Sequence, residues 1–133
     1  MARRRHLSRI AVMQVLFERE TRPEIDAIES LKLNEQELGE MDRPFAEELL
    51  AGVLKNHDEL LQSIQDHAPG WTLDRMDPVS RCVLCMGAYE MLFTKEAPAA
   101  VIINEAIEIA KSFGTDESGK FVNGVLNAMI VKS

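Results

Sequence analysis

Pro98-Ala99-Ala100-Val101-Ile102-Ile103-Asn104-Glu105-Ala106-Ile107-Glu108-Ile109-Ala110-Lys111-Ser112-Phe113-Gly114, then Thr115-Asp116-Glu117-Ser118-Gly119-Lys120-Phe121-Val122-Asn123-Gly124-Val125-Leu126-Asn127-Ala128-Met129, reads as two helices and one tight joint. At about 100° per residue, Asn104, Glu105, Glu108, Lys111 and Ser112 share one edge of the first helix. Ile102, Ile103, Ala106, Ile107, Ile109, Ala110 and Phe113 take most of the rest, the pattern of one wet edge and a broad buried face. Pro98 suits a first turn, and Gly114 is placed to close the helix in a left-handed conformation. The Thr115–Ser118 joint offers capping side chains and negative charge to the next helix. That helix puts Phe121, Val125 and Met129 on one face and Lys120, Asn123, Gly124 and Asn127 on the other. Two readings of the polar strip stand open. It is a nucleic-acid surface, with donors for phosphate and a ring for stacking, or a solvated face with Phe121 in the core and Gly124 at a close helix contact.

Outward from this pair, the same period recurs to the N-terminus. Ile10-Ala11-Val12-Met13-Gln14-Val15-Leu16-Phe17 is apolar nearly all round, which predicts a first helix buried between neighbours and ending at Glu20-Thr21-Arg22-Pro23. Ile25 to Leu33 gives a short second helix, and Asn34 to Met41 reads as a loop. Asp42-Arg43-Pro44 and Asp77-Pro78 each pair a capping carboxylate with a first-turn proline, marking two more helix starts. Between them, Asn56-His57-Asp58 divides a third helix from a fourth that stops before Pro69-Gly70, and Trp71 is expected to plug the layers. Val79 to Phe93, whose charges are chiefly Arg81 and Glu90, predicts a deeply placed fifth helix. No alternating apolar run is long enough for a strand, so the expectation is all-α: about seven helices in one body spanning 1–133, with helical halves of about 1–67 and 68–133.

A chain of 133 residues is long enough to bury a core without disulfides or metal. It has no apolar run of membrane-spanning length and no leader pattern, which makes the cytoplasm the expected compartment and a membrane partner unexpected. Its net charge of −7 argues against indiscriminate coating of nucleic acid. The charge is unevenly distributed, however. Arg3, Arg4, Arg5 and Arg9 put four positive charges and no acid in the first nine residues, leaving −11 to the rest. A basic helix start is poor for helix stability and good for binding an anion, and arginine suits bidentate phosphate contact. The alternative is a solvated tail. Cys82 and Cys85 form a lone C-x-x-C; with His6, His57 and His67 scattered, two small core residues are expected rather than a metal or redox centre. No cofactor loop is present, so neither cofactor nor catalysis is expected. Glu105 and Glu108 are adjacent carboxylates but read as solvated, without a partner base.

Ile103-Asn104-Glu105-Ala106-Ile107-Glu108-Ile109-Ala110-Lys111, Phe113-Gly114 and Lys120-Phe121-Val122-Asn123-Gly124-Val125-Leu126, taken in order, resemble the NusB family of bacterial transcription antitermination factors. Supporting matches are the Arg-rich start before Val12-Met13-Gln14-Val15-Leu16-Phe17, Leu50-Ala51-Gly52-Val53, Trp71 and Ala88-Tyr89-Glu90. The resemblance implies two three-helix bundles packed across each other and joined through a shared seventh helix. It implies binding of boxA RNA together with the small-subunit ribosomal protein that doubles as NusE, within the RNA polymerase antitermination complex that reads through terminators in rRNA operons. By motif match the RNA side is Arg3, Arg4, Arg5, Arg9, Lys120 and Phe121, bordered by Glu117, and the protein-partner side is Phe17, Asp74 and Ser80. Two departures stand out: family members often carry an acid where Ser80 stands and an arginine where Cys85 stands. Four phosphate contacts to single-stranded RNA predict a log–log salt slope of roughly −3.

Two other readings belong to different classes. A helical protein-interaction adaptor or homodimer would use the acidic body and show no salt-dependent RNA binding. The same helical module also precedes the catalytic domain of a family of rRNA methyltransferases. With no room for such a domain after Ser133, methyl transfer by the chain itself is not expected.

Overall fold

In a computed structural model, which describes residues 2–132 and side chains 2–130, the described residues form helices joined by short connectors and contain no strand. Seven α-helices run α1 (Ala2–Thr21), α2 (Ala27–Leu38), α3 (Arg43–Lys55), α4 (His57–Asp66), α5 (Pro78–Tyr89), α6 (Ala99–Phe113) and α7 (Asp116–Lys132). A single 3₁₀ turn, Leu73–Arg75, precedes α5, and a π-helical turn, Glu90–Thr94, extends it. Helices α2 and α3 flank α1 to make one three-helix group, and α5, α6 and α7 make the second. The two cross where α1 meets α5, and α4, the remaining helix, touches both α3 and α5.

The helix starts follow from their side chains. Asp42 accepts the Phe45 N–H and Asp77 the Ser80 N–H, each satisfying a first-turn donor that has no partner within its helix. Asn56 separates α3 from α4, as its position predicts. One hydrophobic cluster runs through both groups, from Val12, Val15 and Leu16 of α1 through Val83, Leu84 and Met86 of α5 to Ile109 of α6 and Leu126 of α7. Helix α5 has ten buried residues from Val79 to Tyr89, so its shortage of charge is the signature of its depth.

Three local expectations are corrected. Helix α2 is capped by Asp26 and continues to Leu38, through the stretch read as a loop, because Leu31 is buried and Asn34 ties the helix to α1 by donating to the Ala11 carbonyl. Gly114 has φ −114°, so it ends α6 without the left-handed turn. A side chain there would press within 2.7 Å of Ser118 Oγ and 2.8 Å of the Ala110 carbonyl, so the approach of α7's first turn is what glycine admits. Phe113 is exposed rather than part of the buried face of α6.

Cys82 and Cys85 are free, buried thiols on α5. Burial, reinforced by the negative charge of Glu20, pushes Cys85 up to about 12 and raises Cys82 as well. Thiols held protonated are poor nucleophiles. Neither cysteine should react with a thiol reagent at pH 8 while the chain is folded, and both should react in denaturant; fast labelling of the native protein would contradict this environment. Unfolded thiols ionise near 9.0 and folded ones at higher pH, so their contribution to stability declines as pH rises from about 9 toward 12.

Candidate nucleic-acid interface

Helix α1 begins at Ala2, so the arginines are its first turns rather than a loose tail. Arg3 is exposed and has no ion pair among the described residues, while Arg4 reaches Glu40 at 2.6 Å. Arg5 is half-buried: its guanidinium meets Asp42 at 3.4 Å and Glu96 at 3.5 Å and lies 4.5 Å from the centre of the Phe45 ring. Cation–ring contact and two carboxylates thus fix the direction of one arginine.

Arg9 behaves differently from the three before it. Two turns into α1 it is only 5% exposed, and its Nε and Nη2 each donate at 2.8 Å to Glu90 in a bidentate pair. Nη1 donates to Glu105 at 3.1 Å, and the guanidinium lies 5.0 Å from the Phe45 ring, on which Arg5 also rests. Burial alone would lower the Arg9 pKa, but the Glu90 hydrogen bonds and charge, with Glu105, outweigh it and leave it raised. The sequence-based expectation that Arg9 reaches RNA is therefore revised. All three of its nitrogens donate to carboxylates inside the protein, and its link to the surface runs through Phe45, the ring it shares with Arg5.

Glu105 is likewise not the solvated carboxylate expected of it. It is 19% exposed and bridges Arg9 and His6, whose Nδ1 lies 3.1 Å away. With Glu108, whose carboxylate is 3.9 Å from His6 Nε2, these side chains bring ligand atoms within 4.8 Å of one another, the one such set among the described residues. Arg9 already pairs with Glu105, and the set is accounted for as polar contacts that hold α1 to α6.

Lys120, Phe121 and Glu117 are displaced from the arginines. They lie at the start of α7, against the opening of α5, whereas Arg9 meets the other end of α5 at Glu90. Ser118 ties α7 to Asp77 by donating to its Oδ2 at 3.2 Å. Lys120 and Glu117 are both highly exposed and pair at 3.4 Å. Phe121 is half-buried, packed on the core at one side and on Trp71 at the other, with ring centres 5.2 Å apart and a 58° tilt. It is therefore neither enclosed in the core nor free of it. Gly124 has open space around it, so the alternative of a close helix contact does not hold. Between the two ends, Ile107, Lys111, Asp116, Gly119, Lys120 and Asn123 line a hollow of about 300 Å³.

The three residues expected on the protein-partner side diverge. Phe17 is exposed and shares a hollow of about 140 Å³ with Met13, Gln14, Val79 and Phe113. Asp74 is exposed, and its carboxyl is held below the usual range by hydrogen bonding from Thr72 and from its own backbone. Ser80 is fully buried, its hydroxyl donating to Asp77 at 2.6 Å, so it braces the start of α5 and offers nothing to a partner. Sequence reasoning missed Phe113 beside Phe17, because the helical wheel of α6 alone puts it with the buried residues.

The model of the NusB family matches residues 6–131. Among relatives, the transcription antitermination protein NusB of Desulfitobacterium hafniense (strain DSM 10664 / DCB-2) is 41% identical over 129 residues, 95% of this chain and 87% of that one. The corresponding protein of Bacillus pumilus is 42% identical over 126 residues, 93% and 92%. A structure of T. maritima NusB superposes with a TM-score of 0.80 at 37% identity, covering 96% of this chain and 90% of that one. A crystal structure of antitermination factors NusB and NusE in complex with dsRNA superposes with a TM-score of 0.87 at 26% identity, covering both chains in full.

Proposed function

The chain belongs to the NusB family, and from that premise we propose that it is a transcription antitermination factor, binding boxA RNA together with the ribosomal protein NusE in the bacterial cytoplasm. The role is one of recognition, with no covalent step. One observation on this molecule carries the reading: three consecutive arginines, Arg3, Arg4 and Arg5, stand on the first turns of a helix anchored in the core, on a chain whose net charge is −7.

RNA reaches this surface in two stages. Arginines that protrude from an acidic body attract phosphate at long range, and the helix start adds the positive end of its dipole. Close contact then requires exchange, because Arg4 is held by Glu40 and Arg5 by Asp42 and Glu96. Phosphate oxygens replace these carboxylates on forks that are already oriented, which limits the ordering cost. Lys120 and Phe121 take a separate part of the strand, so the RNA runs along the molecule from the start of α1 to the start of α7. Phe17 and Asp74 face the protein partner, without Ser80.

The test is fluorescence anisotropy with a single-stranded boxA oligonucleotide over a salt series, with and without NusE, beside a duplex of the same sequence. Salt-dependent binding strengthened by NusE is expected. Indifference to RNA in dilute buffer, even with NusE present, would defeat the reading in favour of a protein-only adaptor. The exchange of partners makes its own prediction. Glu40 is 72% exposed and contributes little to the fold, so Glu40→Gln should tighten RNA binding at low salt by about two- to fivefold, the worth of one exposed ion pair, with unchanged melting. Weaker binding would mean that Glu40 assists the RNA rather than competing with it.

A further inference from the structure

The chain's one tryptophan does not sit where a tryptophan normally sits. Trp71 is 44% exposed, although an indole is among the largest apolar surfaces a chain can bury. The expectation that it plugs the layers is overturned, and its setting indicates why. The connector holding it is fixed at both ends. Upstream, Gly70 takes φ +86°, a conformation that favours glycine, the Trp71 N–H donates to the Ala68 carbonyl at 3.1 Å, and the Gln65 side-chain amide donates to the Trp71 carbonyl. Downstream, Arg81 donates to the Leu73 and Met76 carbonyls at 2.7 and 2.8 Å while its Nε bonds Glu20 at 2.9 Å. The indole is thus held out on a rigid mount instead of moving on a loose loop.

Its neighbours narrow what it meets. Phe121 packs on it at 5.2 Å and Lys120 is the next residue along α7. The Arg75 guanidinium lies 6.0 Å from the indole centre and forms no ion pair among the described residues, although Asp74 beside it feels its charge. Two aromatic rings with the Arg75 guanidinium beside them, and much indole surface still open, match an unpaired nucleobase and an adjoining phosphate. The apolar hollow at Phe17 and Phe113 is lined without Trp71, so the two rings form a surface apart from it.

We propose that Trp71, with Arg75 beside it and Phe121 behind it, is a base-stacking platform that holds an unpaired nucleobase of the bound RNA strand, extending the RNA face beyond Lys120 and Phe121. The inference rests on the RNA-binding reading above. Stacking is tolerant of base identity, because every base has a π-face, so the platform supplies affinity and direction for the strand. The register is read elsewhere.

Because Trp71 is the sole tryptophan, its own emission reports the contact. Titrating the full chain with a single-stranded boxA oligonucleotide should quench that emission in step with the anisotropy change. The same oligonucleotide made abasic throughout should leave emission unchanged. Trp71→Ala should weaken RNA binding by roughly five- to hundredfold, Trp71→Phe should retain most of it, and melting of both should stay close to that of the parent. Binding with unchanged emission and full affinity in Trp71→Ala would overturn the platform while leaving the arginine-based function standing. Trp71→Ala that loses NusE but keeps RNA would overturn it in favour of a protein contact. If the parent chain bound no RNA at all, both readings would fall together.

Discussion

Replacing Arg9 by methionine is expected to remove about 3–5 kcal/mol of folding stability, read as a shift of the urea midpoint by far-UV circular dichroism. The magnitude comes from what the substitution leaves behind. Glu90 is 4% exposed and its two carboxylate oxygens are both satisfied by Arg9. Without the guanidinium, a buried carboxylate must either keep its charge unpaired or take up a proton, and both cost free energy. A pair removed together behaves otherwise, since two neutral groups of similar volume leave no orphan. The double variant Arg9→Met/Glu90→Met should therefore recover much of the loss. A single variant as stable as the parent would refute the idea that this pair clamps α1 to the end of α5. RNA affinity should fall in the single variant too, because α1, which carries Arg3, Arg4 and Arg5, loses its anchor at Glu90.

The second large effect belongs to the arginines that do face solvent. The combined variant Arg3→Ala, Arg4→Ala, Arg5→Ala should lose most RNA affinity, and its log–log salt slope should become shallower by about 2, as three phosphate contacts to a single strand vanish. The fold should survive with a modest drop in melting temperature, owing to the Arg5 contacts with Asp42 and Phe45. Read from the sequence alone, Arg9 belongs in this set. Including it would confuse a lost fold with a lost site. A triple variant that kept the parental slope would show that the helix start does not touch the RNA.

Much of this architecture is legible in the chain because it is written locally. Asp42 before Arg43-Pro44 and Asp77 before Pro78 act within one turn of themselves, so their meaning needs no partner from elsewhere. The apolar stripe of α6 and the charge-poor run of α5 likewise predict their own burial, with Phe113 the exception, and the Arg3–Arg5 cluster is visible as a charge asymmetry whatever the fold does with it. Tertiary structure decided the rest. Whether Arg9 is a surface hand or an internal clamp depends on Glu90 and Glu105, 81 and 96 residues away along the chain. Ser80 is hidden and Trp71 displayed because Asp77 meets Ser118 across 41 residues and Arg81 meets Glu20 across 61, fixing the connector between them. Propensity and periodicity act over one or two turns. The desolvation of a charge, and the exposure of a ring, are set by whichever distant segment arrives beside it.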